Sequence, residues 1–214
     1  GTKNFLHEPA MTAEQYEQAL QTGADMVDIC AQKGCNILSI GEMGIANTSA
    51  ASLWMSIFTK TPLPDCIGAG SGLNEEGIAH KNKILTEALH HFHTQHLPAT
   101  AALAYFGGFE MVAAVGAMLR AAELKMVILI DGFIMTACLL AATHIHKNVR
   151  HYAIFTHCSE EKGHRLLLQH LRAHPLLSLG LRLGEGTGAL CCYPIVESAV
   201  HMLNEMNNFD NAHI

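Results

Sequence analysis

Met126-Val127-Ile128-Leu129-Ile130-Asp131-Gly132 is apolar at five consecutive positions and then closed by Asp-Gly. An alternating pattern would mark a strand with one wet face. A run apolar throughout marks a strand buried on both faces, as in a parallel sheet. Asp and Gly are poor strand formers, so the strand stops there. Working outward, Phe109 to Leu124 is helical, crossed by Gly116, and a helix through His144 follows the strand. Tyr152 to Thr156 is the next strand, His157-Cys158-Ser159 its end, and Glu160 to His174 a helix. Leu176 to Leu183 reads as the last strand, with a final helix from Thr187 or Gly188 to near Asn207. Upstream, Thr12 with Gln15 makes a capping box for a helix running to Gly34. Asn36 to Ile40 is a strand, Thr48 caps a helix to about Thr59, and the proline-bearing Thr61 to Asp65 is a loop. A long helix then runs toward His96 and is broken at Pro98.

Strand and helix alternate at short intervals. The expected class is α/β: a Rossmann-like, largely parallel sheet with helices on both faces, plus a small helical annex. With 214 residues, half of them hydrophobic, the chain can bury a full core, and 1-214 reads as a single α/β catalytic domain. The formal charge of −6 and the lack of clustered Lys and Arg argue against a nucleic-acid partner. The apolar stretches at 126–130 and 133–142 are interrupted by Asp131 and too short to cross a membrane. No secretory leader pattern opens the chain and no Cys-x-x-Cys occurs, so Cys30, Cys138 and Cys191 are expected to be reduced, buried thiols of a cytoplasmic protein. Fifteen histidines raise the question of metal, above all His90, His91, His93 and His96. Without carboxylate or cysteine partners they read as solvated or capping residues, and no metal is expected.

Chemistry concentrates in three glycine-rich turns. Glu42 lies in Gly41-Glu42-Met43-Gly44-Ile45-Ala46-Asn47-Thr48, and Glu185 in Gly184-Glu185-Gly186-Thr187-Gly188. Both turns follow strand-like runs, and open α/β sheets bind ligands at the carboxyl ends of their strands. Neither glutamate has a basic neighbour in sequence. In an apolar site each would have a raised pKa and could act as a base near neutrality. The third turn, Gly68-Ala69-Gly70-Ser71-Gly72, has G-x-G-x-G spacing rather than G-x-G-x-x-G, so the dinucleotide fingerprint is weak. It still precedes a helix start and reads as a phosphate cradle, with Lys81 two turns further on. Asp131 is equally readable as a helix cap and as a site residue, and Ser159 as a cap or a phosphate ligand.

These motifs, in this order, resemble one family. Gly-Glu-Met-Gly-Ile-Ala-Asn-Thr at 41–48, Gly-Ala-Gly-Ser-Gly-Leu at 68–73 with Lys81, Ile-Asp-Gly-Phe at 130–133 and Leu-Gly-Glu-Gly-Thr-Gly-Ala at 183–189 are similar to the nicotinate-nucleotide–dimethylbenzimidazole phosphoribosyltransferases. The resemblance covers nearly the whole chain. It implies attack of 5,6-dimethylbenzimidazole on the anomeric carbon of nicotinate mononucleotide. Nicotinate would leave and α-ribazole 5′-phosphate form with inversion, in cobalamin nucleotide-loop assembly. No cofactor is implied. Glu185 matches the family's general base. Glu42, Gly44, Asn47, Gly70, Ser71, Lys81, Asp131, Gly132, Ser159 and Gly186 match nucleotide-binding positions, with Gly72 in the same cradle. Met43 and Leu183 would line the base pocket. The family is expected to be a cytoplasmic homodimer. Its members carry a substantial segment ahead of the point matching Gly1, so the chain is expected to be an amino-terminally truncated form. The competing readings are a nucleotide-binding α/β module without chemistry and a histidine-rich metal protein.

Overall fold

The computed structural model describes residues 1–182 and 184–207. Three short strands, β1 (Ile37–Ser39), β2 (Val127–Ile130) and β3 (Ala153–Phe155), form a parallel sheet in the order β1-β2-β3. Ile37 pairs with Val127 and Ile128 with Ala153, so β2 is the central strand. The helices are α1 (Ala13–Gln32), α2 (Asn47–Thr59), α3 (Leu63–Cys66), α4 (Glu75–Thr94), α5 (Ala102–Phe106), α6 (Phe109–Glu123), α7 (Gly132–Ile145), α8 (Lys162–His170) and α9 (Thr187–Glu205). Short 3-10 turns cover Ala99–Ala101 and Lys147–Tyr152.

The apolar run of β2 is used as a buried strand must use it. Ile128 and Ile130 point into the main core with α2, α6 and α7. Leu129 points the other way and packs with Ala189, Cys192 and Val196 of α9. Helices therefore cover both faces of the sheet. α7 is buried almost all round from Gly132 to Ala142, as expected of a helix apolar on every side. The aromatic group Phe92, Tyr105 and Phe106 joins α4 to α5, and this helical annex shares the main core.

Several local readings are met and others corrected. Thr12 accepts from Gln15 N–H while the Gln15 side chain accepts from Thr12 N–H, completing the capping box. Thr48 caps nothing: α2 starts one residue earlier, behind Ala46 in a left-handed conformation (φ 73°). The proline-bearing loop holds α3, because Pro62 precedes it and Pro64 sits in its first turn, where a missing N–H costs no helical bond. The expected last strand is reduced to one parallel bridge, His157 with Leu177. Leu176 and Leu177 donate to Phe155 and Thr156, after which Gly180 turns the chain at φ 62°. Leu183 lies outside the described residues. Of the three thiols expected to be buried, Cys138 is; Cys30 is half-buried and Cys191 exposed. The inward face of α9 carries Ala189, Cys192 and Val196 at helical spacing, which leaves Cys191 off that face.

α1 and α6 approach with almost no side chain between them. A Cβ on Gly23 would strike the Ala113 carbonyl, and one on Gly116 would strike the Leu20 backbone. In an exposed helix, Gly→Ala gains about 1 kcal/mol. Here neither backbone can give way, and overpacking of this kind costs roughly 1–3 kcal/mol. Gly116→Ala is expected to lower the unfolding midpoint in urea. An increase would mean that the two helices separate freely and that the close crossing carries no stability.

Candidate active site

The carboxyl ends of β1, β2 and β3 open into a cleft of about 430 Å³. Its rim is made where the two glutamate turns fuse. Glu42 N–H donates to Gly184 O at 2.9 Å, and Gly41 lies so close to the Glu185 backbone that no Cβ would fit. Positions 41 and 185 thus become one structural unit. Glu42, Met43, Gly44, Gly70, Ser71, Lys81, Ser159 and Glu185 all line the cleft. Asn47, Gly72, Asp131, Gly132 and Gly186 do not: Gly72 is exposed, and the others do their work behind the wall.

The two glutamates differ in environment. Glu42 is half-buried. Its Oε2 accepts from Asn47 Nδ2 at 2.7 Å and from Gly44 N–H at 3.0 Å. Burial raises its pKa, against the pull of the Asn47 and Gly44 bonds, and the nearby Glu110 adds to the rise. Asn47 Nδ2 also donates to Glu110 Oε1 at 2.8 Å, so one amide serves two carboxylates. Glu185 departs from the expected raised pKa. It is exposed, and its carboxylate is turned onto its own loop, accepting from Gly184 N–H and Thr187 Oγ1, each at 2.9 Å. Its own backbone N–H, Thr187 and Gly184 together lower its pKa. A search for charged neighbours in the sequence overlooks the donors of the loop itself.

The phosphate cradle is also built differently from the expectation. α4 begins only at Glu75. The Asn74 side chain accepts from Gly77 N–H at 2.9 Å, and Glu75 and Glu76 occupy the first turn. Acidic groups complement the positive end of the helix dipole, so this helix start is already satisfied and repels an anion. Gly72 and Leu73 N–H groups both turn back to Ala69 O. Among the described residues, the N–H groups of Gly70 and Ser71 have no such partner. The helix start that does meet the cleft belongs to α2, which has no side-chain cap and no acidic residue in its first turn. Lys81 reaches the same spot, donating to Thr48 Oγ1 at 2.9 Å and to Gly68 O at 3.4 Å. Burial lowers the Lys81 pKa, and the charge of Glu161 partly offsets this.

Asp131 does not cap the helix that follows it; its carboxylate caps a distant one. Its side chain is not bonded within α7. Oδ2 accepts from Gly186 N–H at 2.8 Å and Oδ1 from Ala189 N–H at 3.1 Å, which caps α9 and holds the Glu185 turn. Burial raises the Asp131 pKa; the two amides and His157, whose Nδ1 is 3.5 Å from Oδ1, act in the opposite direction. Gly132 takes φ 68° and accepts from Thr136 Oγ1, while Gly186 takes φ 97°. Glu161, Arg182, Phe133 and Ile134 also line the cleft and escaped the sequence reading. Glu161 lies in a polar stretch and Arg182 in the apolar run expected as the last strand, and no local pattern marks either.

Comparison with known proteins places this arrangement. A family model described as phosphoribosyltransferase matches residues 1–214. The nicotinate-nucleotide–dimethylbenzimidazole phosphoribosyltransferase of Parabacteroides distasonis is 55% identical over 214 residues, which is 100% of this chain and 62% of the relative. Its Bacteroides fragilis counterpart is 55% identical over 213 residues, with 100% and 61% covered. The crystal structure of CobT from Thermus thermophilus superimposes with a TM-score of 0.93 at 36% identity, covering 100% of this chain and 64% of that one. The chain thus spans about three fifths of the length of the curated relatives it matches.

The raised pKa of Glu42 has a measurable sign. A carboxyl whose folded pKa lies above its unfolded value stabilises the fold fully below the unfolded value. That contribution is lost as pH rises through the folded value. The window opens at the ordinary value of 4.5 and extends upward. Glu42→Gln imitates the protonated form. It is expected to melt above the parent at neutral pH and with the parent well below pH 4.5. Identical melting temperatures across a pH series would show that Glu42 is no more strained than a surface glutamate.

Proposed function

Because this chain belongs to the phosphoribosyltransferase family, we propose that it transfers a phosphoribosyl group from nicotinate mononucleotide to 5,6-dimethylbenzimidazole, in cobalamin nucleotide-loop assembly. The products are nicotinate and α-ribazole 5′-phosphate. The relatives' names support the substrates. The observation that carries the reading is the fusion of the Glu42 and Glu185 turns on the rim of a cleft that also holds Lys81 and Ser159. A nucleotide-binding module without chemistry needs an anion subsite, but it has no use for two carboxylates brought together from opposite ends of the chain.

In this reading the phosphate lies against the Gly70 and Ser71 amides, Lys81 and the start of α2. The benzimidazole nitrogen donates its lone pair to the anomeric carbon. The bond from that carbon to the pyridinium nitrogen breaks, and its electron pair leaves with nicotinate. The proton on the far benzimidazole nitrogen passes to a carboxylate. Glu185 is the proposed acceptor. It is ionised and sits at the exposed rim, where swinging away from Thr187 and Gly184 costs two solvent-accessible hydrogen bonds. Met43, 79% exposed on the same rim, offers an apolar surface to the base. The raised pKa of Glu42 supports a second reading in which Glu42 takes the proton.

Turnover separates these. In a chain of the relatives' full length, Glu185→Gln is expected to cut nicotinate release on the order of a hundredfold to ten-thousandfold, the usual contribution of a general base. Glu42→Gln should cost less, because its role is to position the rim. A larger loss in Glu42→Gln would transfer the base assignment to it. No nicotinate release by the parent under any condition would favour the non-catalytic module.

Residues 1-214 are proposed to form one catalytic α/β domain of a cytoplasmic homodimer. Among the described residues no helix is long and apolar enough to cross a membrane. α9 supports self-association, with Leu190 76% and Leu203 87% exposed on the side that carries Tyr193 and Val200. Isolated apolar residues are ordinary on a surface, but a row along one helix marks an interaction face. Sedimentation should show a dimer that Leu203→Glu weakens; a monomer at all concentrations would refute the homodimer.

A further inference from the structure

Cys30 and Cys35 are the outer members of the motif that ends α1. Cys35 N–H donates to Cys30 O at 3.1 Å, and inside that bond Gly34 N–H donates to Ala31 O at 2.9 Å. Gly34 takes φ 83°. This nested pair of bonds with a left-handed glycine is a Schellman motif. Such a motif brings the side chains of its outer residues together, where two apolar groups commonly meet. Here both are thiols. The outer hydrogen bond also bounds their separation. A carbonyl oxygen lies about 2.4 Å from its own Cα, and an amide nitrogen about 1.5 Å from its own. With 3.1 Å between oxygen and nitrogen, the two Cα atoms are at most about 7 Å apart. That limit needs all four atoms in line, and the trigonal carbon and nitrogen bend the path below it. Disulfides span Cα separations of roughly 4.4–6.8 Å.

The remaining thiols are placed differently. Cys66, Cys138 and Cys192 are buried, and burial pushes each thiol pKa up, that of Cys66 to about 12. Only the thiolate is nucleophilic, so these three are inert. Cys158 is half-buried and donates to Ser159 O at 3.7 Å. Cys191 is exposed, while its chain neighbour Cys192 faces the core against Leu129. Cys35 is exposed and Cys30 half-buried, which supplies an accessible attacking thiol with a second thiol beside it.

We propose that Cys30 and Cys35 are a reversible oxidation site that closes to an intramolecular disulfide by exchange with a small-molecule disulfide, such as glutathione disulfide. The Cys35 thiolate attacks one sulfur of the reagent, whose S–S bond breaks and releases one glutathione thiolate. The Cys30 thiolate then attacks Cys35 Sγ in the mixed disulfide and releases the second. The two cysteines give up two protons and two electrons, and the reagent takes them up as two thiols. The new bond staples the end of α1 to the chain entering β1, at the end of the sheet opposite the cleft. In a compartment kept reducing by thiols the pair rests as the dithiol and closes only under oxidative load.

The test equilibrates this chain with mixtures of glutathione and glutathione disulfide, quenches with acid and maps tryptic peptides without reduction. The chain carries Cys191→Ser, which removes the other exposed thiol. Lys33 is exposed between the two cysteines, so cleavage after it separates them. The two peptides should stay joined, lighter than the reduced pair by two hydrogen atoms, and dithiothreitol should part them. Cys30→Ser should instead trap glutathione on Cys35 as a stable mixed disulfide. Because the folded chain holds the thiols close, the equilibrium constant for closing the ring should be at least about tenfold higher in buffer than in urea. By linkage, the oxidised chain then melts above the reduced one. Glutathione accumulating on Cys35 while Cys30 stays free would overturn the proposal. So would an equilibrium constant no higher in the folded chain than in urea, since the capping geometry would then do nothing to bring the thiols together.

Discussion

Asp131 is 1% exposed and spends both carboxylate oxygens on backbone amides of a segment more than fifty residues away. Those amides, Gly186 and Ala189, are groups that the start of α9 cannot satisfy by itself. Burying a carboxylate is costly unless it is hydrogen-bonded, and here the two bonds offset that cost while capping a helix. The end of the central strand and the start of α9 cannot move separately. The Glu185 turn hangs from this joint, and the Glu42 turn hangs from the Glu185 turn through Gly184 O. The rim of the cleft therefore inherits its geometry from one buried side chain that does not touch the cleft.

Two kinds of support meet at the site. The strand ends bring Glu42, Asp131 and Ser159 to one edge of the sheet, which is a property of parallel topology. Placing individual donors and acceptors is left to interactions that cross the sheet. Asn47 holds Glu42 from α2, Lys81 arrives from α4, and His164 holds Ser159 from α8. The result is a cleft whose donors and acceptors are held in place before any ligand enters. Such preorganisation lowers the reorganisation needed on binding.

What can be read from the sequence is whatever is encoded locally. The capping box at Thr12 and Gln15 and the doubly buried run of β2 depend on residues within a few positions of each other. The glutamate turns stand out because glycines around an acidic residue after an apolar run form a short-range pattern. The errors have two sources: partners far along the chain, and caps or donors within a few residues, as at Asn74 and in the Glu185 loop. Thr48 looks like a cap because nothing nearby reveals Lys81, 33 residues away. The helix after Gly72 looks like an anion site until Asn74, Glu75 and Glu76 are seen to satisfy it. Asp131 is undecided in the sequence because its partners lie 55 and 58 residues on. His164 gives no local signal, since its bonds to Thr136 and Ser159 form only in the folded core.

The shared amide of Asn47 has a consequence for how this sequence can drift. A single NH₂ group donates to Glu42 and to Glu110, 2.7 and 2.8 Å away. Exchanging Asn47 for a residue with fewer donors leaves two carboxylates facing each other across an unfilled gap. Exchanging either glutamate alone for a residue without an acceptor leaves a donor without a partner in a mostly buried position. Positions 42, 47 and 110 therefore form one unit in which a single exchange is costly, although they lie on three different elements.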